Sequence, residues 1–179
     1  MTHIIEIQIM ENKNIKMLAC IFALVAIITS CQSPTHPTEV AINSLQKQLK
    51  NDFMRLEQLE TNDLPGIQHS YLLCDSLLQY APKERINEYF DILNLTNAYL
   101  IQFKDNCPKM HEKFEYSAKQ LESLKSDLST EFISDSLASI YLSDERNAAD
   151  TLHEQILYFE ERLQAQKEIL RKLMKDFNL

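Results

Sequence analysis

Apolar residues recur along the chain at steps of three and four, the spacing that lines one face of an α-helix. Ile42, Leu45, Leu49, Phe53, Leu56 and Leu59 form the first such stripe and predict a helix over roughly 38–62. Asn62-Asp63-Leu64-Pro65-Gly66 follows as a run of turn formers, and Ile67, Tyr71, Cys74 and Leu78 predict a second helix over 66–80. A third helix, from Pro82 to about Asn106, uses Ile86, Phe90, Leu93 and Leu100, with Asn97 interrupting its stripe.

From Pro108 the steps become regular. Met110, Phe114, Ser117, Leu121, Leu124 and Leu128 alternate four and three, the 3.5-residue period of coiled coils. Leu152, Ile156, Phe159, Leu163, Gln166, Leu170, Leu173 and Phe177 repeat it. Between the two seams, Phe132, Ile133, Leu137 and Ile140 slip the phase by about one residue, which predicts a kink near Ser129-Thr130. Ser143-Asp144 then offers the N-cap of a last helix. Segments 108–142 and 145–178 become the arms of an antiparallel hairpin about 50 Å long at 1.5 Å per residue. The expected fold is all-α: an elongated bundle of about five to six helices ending in this long, coiled-coil-like C-terminal hairpin.

Polar residues refine the pattern. Ser117 and Gln166 occupy seam steps, where a polar group costs stability but fixes register or partner choice. Asp144 and Glu145 near the start of the last helix, and Arg171, Lys172 and Lys175 near its end, suit the helix dipole. Glu115 with Lys119 and Glu168 with Lys172 are four apart and predict surface pairs of a few tenths of a kcal/mol.

Composition agrees with helices. The 179 residues include one glycine, Gly66, and no tryptophan, and after residue 30 the only valine is Val40. All-β folds and glycine-rich phosphate loops therefore lack their residues. With 26 acids against 18 bases the net charge is −8, which argues against nucleic-acid binding, because that needs lysine and arginine to neutralise phosphates.

The first 30 residues follow different rules. Met17 to Ile28 is an apolar, uncharged run of twelve residues, too short for the roughly 20 that cross a bilayer. Lys13 and Lys16 precede it and Thr29-Ser30 follow, the layout of an export signal. Glu6 is foreign to such a leader, so Met10 is a second candidate start beside Met1. Ile28-Thr29-Ser30-Cys31 resembles the lipobox of bacterial lipoproteins, and the polar, proline-containing stretch from Gln32 to Thr38 reads as a tether. The resemblance implies that Cys31 becomes the mature N-terminus and carries lipid. The expected organisation is a signal peptide over 1–30, a lipidated cysteine and tether over 31–37, and one helical domain over 38–179. Gln32 follows Cys31 in place of the aspartate that resembles an inner-membrane retention signal, which points to the outer membrane, facing the periplasm.

Catalytic chemistry is thinly supplied. His36, His69, His111 and His153, with Cys74 and Cys107, show no metal-ligand spacing; Cys107 and His111 come nearest, four apart across Pro108. Glu160-Glu161 point in adjacent directions and read as a solvated face. No cofactor, metal site or catalytic residue is expected, and the chain is not read as an enzyme. A hairpin about Pro82 would hold Cys74 and Cys107 too far apart for a disulfide, leaving two free thiols. Asp75-Ser76-Leu77, Asp135-Ser136-Leu137 and Asp150-Thr151-Leu152 resemble a short O-glycosylation acceptor motif of exported bacterial proteins, which implies exposed hydroxyls at Ser76, Ser136 and Thr151.

The sequence as a whole resembles small helical lipoproteins of the bacterial envelope. The expected function is a non-catalytic, lipid-anchored protein-interaction module; Leu157, Ile169 and Met174, beside the seam, must meet the first three helices or another chain. The rivals are a periplasmic protein holding a small ligand or metal in a cavity lined by Tyr71, Tyr89, Asn97 or Tyr99, and an immunity or inhibitor protein.

Overall fold

The computed structural model describes residues 37–177. The segment expected to be a signal peptide, Cys31 and all of the expected tether except Pro37 lie outside them. Among the described residues every regular element is helical.

Helix α1, Pro37–Gln58, runs through a wide π-helical turn at Leu59–Asp63 into α2, Leu64–Leu77. A short 3-10 turn, Leu78–Tyr80, and the Pro82 bend lead to α3, Ile86–Ser129, and a second bend leads to α4, Asp135–Asp176. There are thus three long helical runs, up, down and up, each packed on the other two. At 1.5 Å per residue the 44 residues of α3 extend roughly 66 Å.

One seam runs the length of α3. Tyr89, Leu93, Thr96, Leu100, Phe103, Cys107, Met110, Phe114, Ser117, Leu121, Leu124 and Leu128 are all buried and alternate steps of four and three without a break. The regular spacing expected from Met110 therefore extends a further 21 residues towards the N-terminus, through Cys107 and Thr96. Pro108 does not begin a helix but lies inside this one. It deprives the Lys104 carbonyl of its donor, and both residues lie on the exposed side of the helix. Near the start of α3 the buried aromatic is Tyr89, while Ile86 and Phe90 are exposed, contrary to the stripe first drawn.

Helix α4 keeps the same period through Ala138, Leu142, Ala149, Leu152, Ile156, Phe159, Leu163, Gln166, Leu170 and Leu173, with Glu145 taking the step between Leu142 and Ala149. Its N-cap is Ser134, not Ser143-Asp144: the Leu137 amide donates to the Ser134 hydroxyl across 3.3 Å. The reversal sits at Thr130–Ser134, where Glu131 takes a left-handed φ of 56°. This is a true break where a kink was expected, and it replaces the shorter hairpin of 108–142 with 145–178. The register is consistent with that turn. Thr96 with Gln166, Phe103 with Phe159, and Ser117 with Glu145 each have numbers adding to 262, twice that of Glu131.

The first run shows why the turn formers at 62–66 do not end it. Thr38, Ile42, Leu45, Leu49, Asp52, Leu56 and Leu59 keep the four–three alternation, and Leu64, Ile67 and Cys74 resume it one residue out of phase. A π turn absorbs one extra residue while keeping the backbone helical, so Leu59–Asp63 returns the second stripe to the core. Pro65 falls in the first turn of α2, where its missing N–H is least costly, and Gly66 is helical with nothing crowding its Cα.

Candidate functional site

Three polar contacts tie the apolar core across its helices. Thr96 Oγ1 lies 2.8 Å from Gln166 Oε1 and 2.9 Å from the Ile92 carbonyl, and both side chains are fully enclosed. One hydroxyl proton cannot serve both acceptors; a Gln166 amide turned to present Nε2 to Thr96 satisfies the group. Ser117, also buried, lies beside Glu145, whose Oε2 is enclosed without a hydrogen-bond partner among the described residues. Burial raises the Glu145 carboxyl above its usual range; the neighbouring Ser117 hydroxyl opposes this and nearby Asp144 adds to it. The two seam residues singled out by spacing, Ser117 and Gln166, thus find partners within their own chain.

The third contact joins α1 to α4. Asp52 is buried, with its Oδ1 2.9 Å from His153 Nδ1 and 4.0 Å from Arg55, which also reaches Glu160 at 3.2 Å. A parallel arrangement occurs at the π turn, where Glu60 Oε2 lies 2.6 Å from His111 Nε2 and the His111 ring meets Phe53 edge-on at 5.2 Å. Both histidines therefore fasten α3 or α4 to the first helical run. Cys107 is close to the same Glu60; burial, and then that carboxylate, push its thiol up to about 12. Cys74 is enclosed against α4, with Sγ 3.9 Å from the Leu170 carbonyl, and both thiols are free. Among the described residues no three His, Cys, Asp or Glu side chains converge to hold a metal ion.

Of the remaining candidates, His69 is a lone exposed residue of α2, while Ser76, Ser136 and Thr151 are all exposed. Their hydroxyls contact Leu73, Ser134 and Asn147. Lys119 meets Glu115 at 2.6 Å as expected, whereas Glu168 pairs with Arg171 at 2.8 Å. At the far end, Arg85 lies 2.8 Å from Asp176 and stacks over the Tyr89 ring, and the Tyr89 hydroxyl donates to Asp176 across 3.1 Å. Tyr89 is thus a core residue. Tyr71 and Asn97 line an open groove of about 260 Å³ between α2 and α3, which does not include Tyr89 or Tyr99.

Leu157 and Ile169 are half-buried, and Met174 packs against the core. The more distinctive surface is the solvent side of the α3 and α4 pair. There Tyr99 and Tyr158 flank Arg162, whose guanidinium carbon lies 5.4 Å from each ring centroid. Further along, Tyr116 (62% exposed) borders a groove of about 540 Å³ with Ser117, Ala148 and Thr151. Tyr141 (49% exposed) borders the next groove, with Gln120, Asp127 and Asp144. Four of the seven tyrosines thus occupy one face.

Spacing contains the signal for this row. Tyr99, Tyr116, Tyr141 and Tyr158 each directly precede a buried seam residue, namely Leu100, Ser117, Leu142 and Phe159. In antiparallel helices with matched seams, that position falls on the same side of both.

No protein family, curated protein or solved structure matches this chain. Among the described residues no helix is long and apolar enough to cross a membrane.

Proposed function

We propose that the chain is a non-catalytic, lipid-anchored protein of the bacterial cell envelope, held in the outer membrane by lipid on Cys31, whose helical rod serves a protein partner. The tyrosine row on the α3–α4 face carries this reading. Tyrosine and arginine are the side chains that interfaces favour, because they bring large contact area, a polar tip and little conformational entropy. The three helices spend their continuous seams on one another, so a partner must use the outer surface. The net charge of −8 favours a partner with a basic rim, which electrostatic steering would bring in faster at low salt.

The test is recovery of the partner from detergent-extracted cells by the parent protein and by Tyr116→Ala with Tyr158→Ala. Loss of an anchor residue worth about 2 kcal/mol weakens affinity roughly 30-fold, so the double variant should recover none while melting like the parent. Leu72→Ala, away from this face on α2, should recover it fully. Unchanged recovery by the tyrosine variant would contradict the proposal. An immunity or inhibitor role would use the same face and is distinguished by whether the recovered partner is a toxin or lytic enzyme.

A further inference from the structure

We propose that the end of the bundle formed by the α3–α4 turn and the first turn of α1 rests on the bilayer surface, with Phe132 in the headgroup region. This rests on lipid anchoring through Cys31 and adds an orientation and a second membrane contact to it. Phe132 is the most exposed large apolar residue described, at 81%, and Ile140, Val40 and Leu137 stand exposed near it. They share one end because α1 runs parallel to α4: Pro37, Thr38 and Ala41 line a groove with Ser139, Leu142 and Arg146. The Lys125 contact with Asn43, 2.7 Å, brings the end of α3 to the same level.

The length of chain before α1 identifies the occupant. Only five residues separate Cys31 from Pro37, and six extended steps reach about 20 Å at most. A lipid on Cys31 therefore holds the start of α1 near the headgroups, while the Tyr80 end stands roughly 66 Å away along α3. The apolar residues beside the tether then meet lipid, where an aromatic ring is well accommodated. Glu39, Asp127, Glu131 and Asp135 at this end outnumber Lys125 and Arg146, so the contact suits uncharged headgroups and is apolar in origin.

The absence of tryptophan makes a direct test available. Full-length protein with Phe132→Trp or, at the far end, Tyr80→Trp is purified from membranes, and mass spectrometry establishes lipid on Cys31. Each is placed in phosphatidylcholine vesicles whose acyl chains carry bromine, a contact quencher of indole fluorescence. The Phe132→Trp protein should be quenched several-fold more strongly than the Tyr80→Trp protein and should emit at shorter wavelength than it does in detergent-free buffer after removal of the lipid anchor. Lipid present with equal quenching at the two sites, whether weak or strong, overturns the upright orientation while leaving anchoring intact. Protein lacking lipid on Cys31 overturns the anchoring and the proposal with it.

Discussion

Thr96 and Gln166 show how a polar pair behaves inside an otherwise apolar seam. Each satisfies the other across α3 and α4, so removing one strands its partner in the core. Thr96→Val should cost about 1–3 kcal/mol, the penalty for an unpaired buried amide, whereas Thr96→Val combined with Gln166→Leu should recover most of it. Denaturant melts of the two singles and the double give the coupling directly; equal losses from all three would refute it. Glu145 behaves differently, because its raised carboxyl is a cost of folding at neutral pH. With the folded value above the unfolded one, this group favours the fold at low pH and loses that contribution as pH rises through the folded value. Glu145→Gln should therefore melt higher than the parent at pH 7 by a few degrees at most, with the difference closing towards pH 4. A variant that melts lower at pH 7 would show that the favourable influence of the Ser117 hydroxyl outweighs burial.

At the scale of the helices, the π turn is, among the described residues, the one place where the heptad phase breaks without the chain turning. Its cause is the spacing of Leu59 and Leu64, five apart where the seam requires four. Deleting Thr61, exposed within that turn, should join the stripes of α1 and α2 in phase and leave a protein of parental helicity that melts cooperatively at or above the parental temperature. Loss of cooperative melting by calorimetry would show that the turn is required for packing. The same spacing logic explains what sequence alone could reach. The seam from Met110 to Leu128, Ser117 apart, and most of the α1 stripe are apolar and regular, so they are legible; at one α1 step the charged Asp52 is buried and the apolar Phe53 beside it is only partly so. Thr96 fills a seam step with a residue type that also suits a surface, and Pro108, directly after Cys107, carries the usual mark of a helix start, so the unbroken length of α3 is hidden. The turn at 130–134 contains no glycine or proline and relies on Glu131 in a left-handed conformation, leaving Ser143-Asp144 the stronger local signal. The tyrosine row was present in the sequence as four residues preceding seam positions, but which of those positions share a face depends on a register set by the turn at Glu131.

Across the described residues, three helical runs consume their apolar stripes on one another, and on the proposed reading a partner meets the outer surface. The acid–histidine pairs at Asp52 with His153 and Glu60 with His111 join the first run to the other two, which accounts for both histidines without a ligand. What distinguishes one outer face from another is then chemistry: tyrosines and Arg162 on the α3–α4 side, polar and charged residues such as Ser44, Lys47 and Asn51 along α1. A photoreactive amino acid placed at Tyr116 or, separately, at Asn51 of the full-length protein in intact cells, followed by irradiation and electrophoresis, tests this distinction. A discrete crosslinked species from position 116 and none from position 51 is the expected result; a species from 51 alone, or from neither, would contradict a partner surface on α3 and α4.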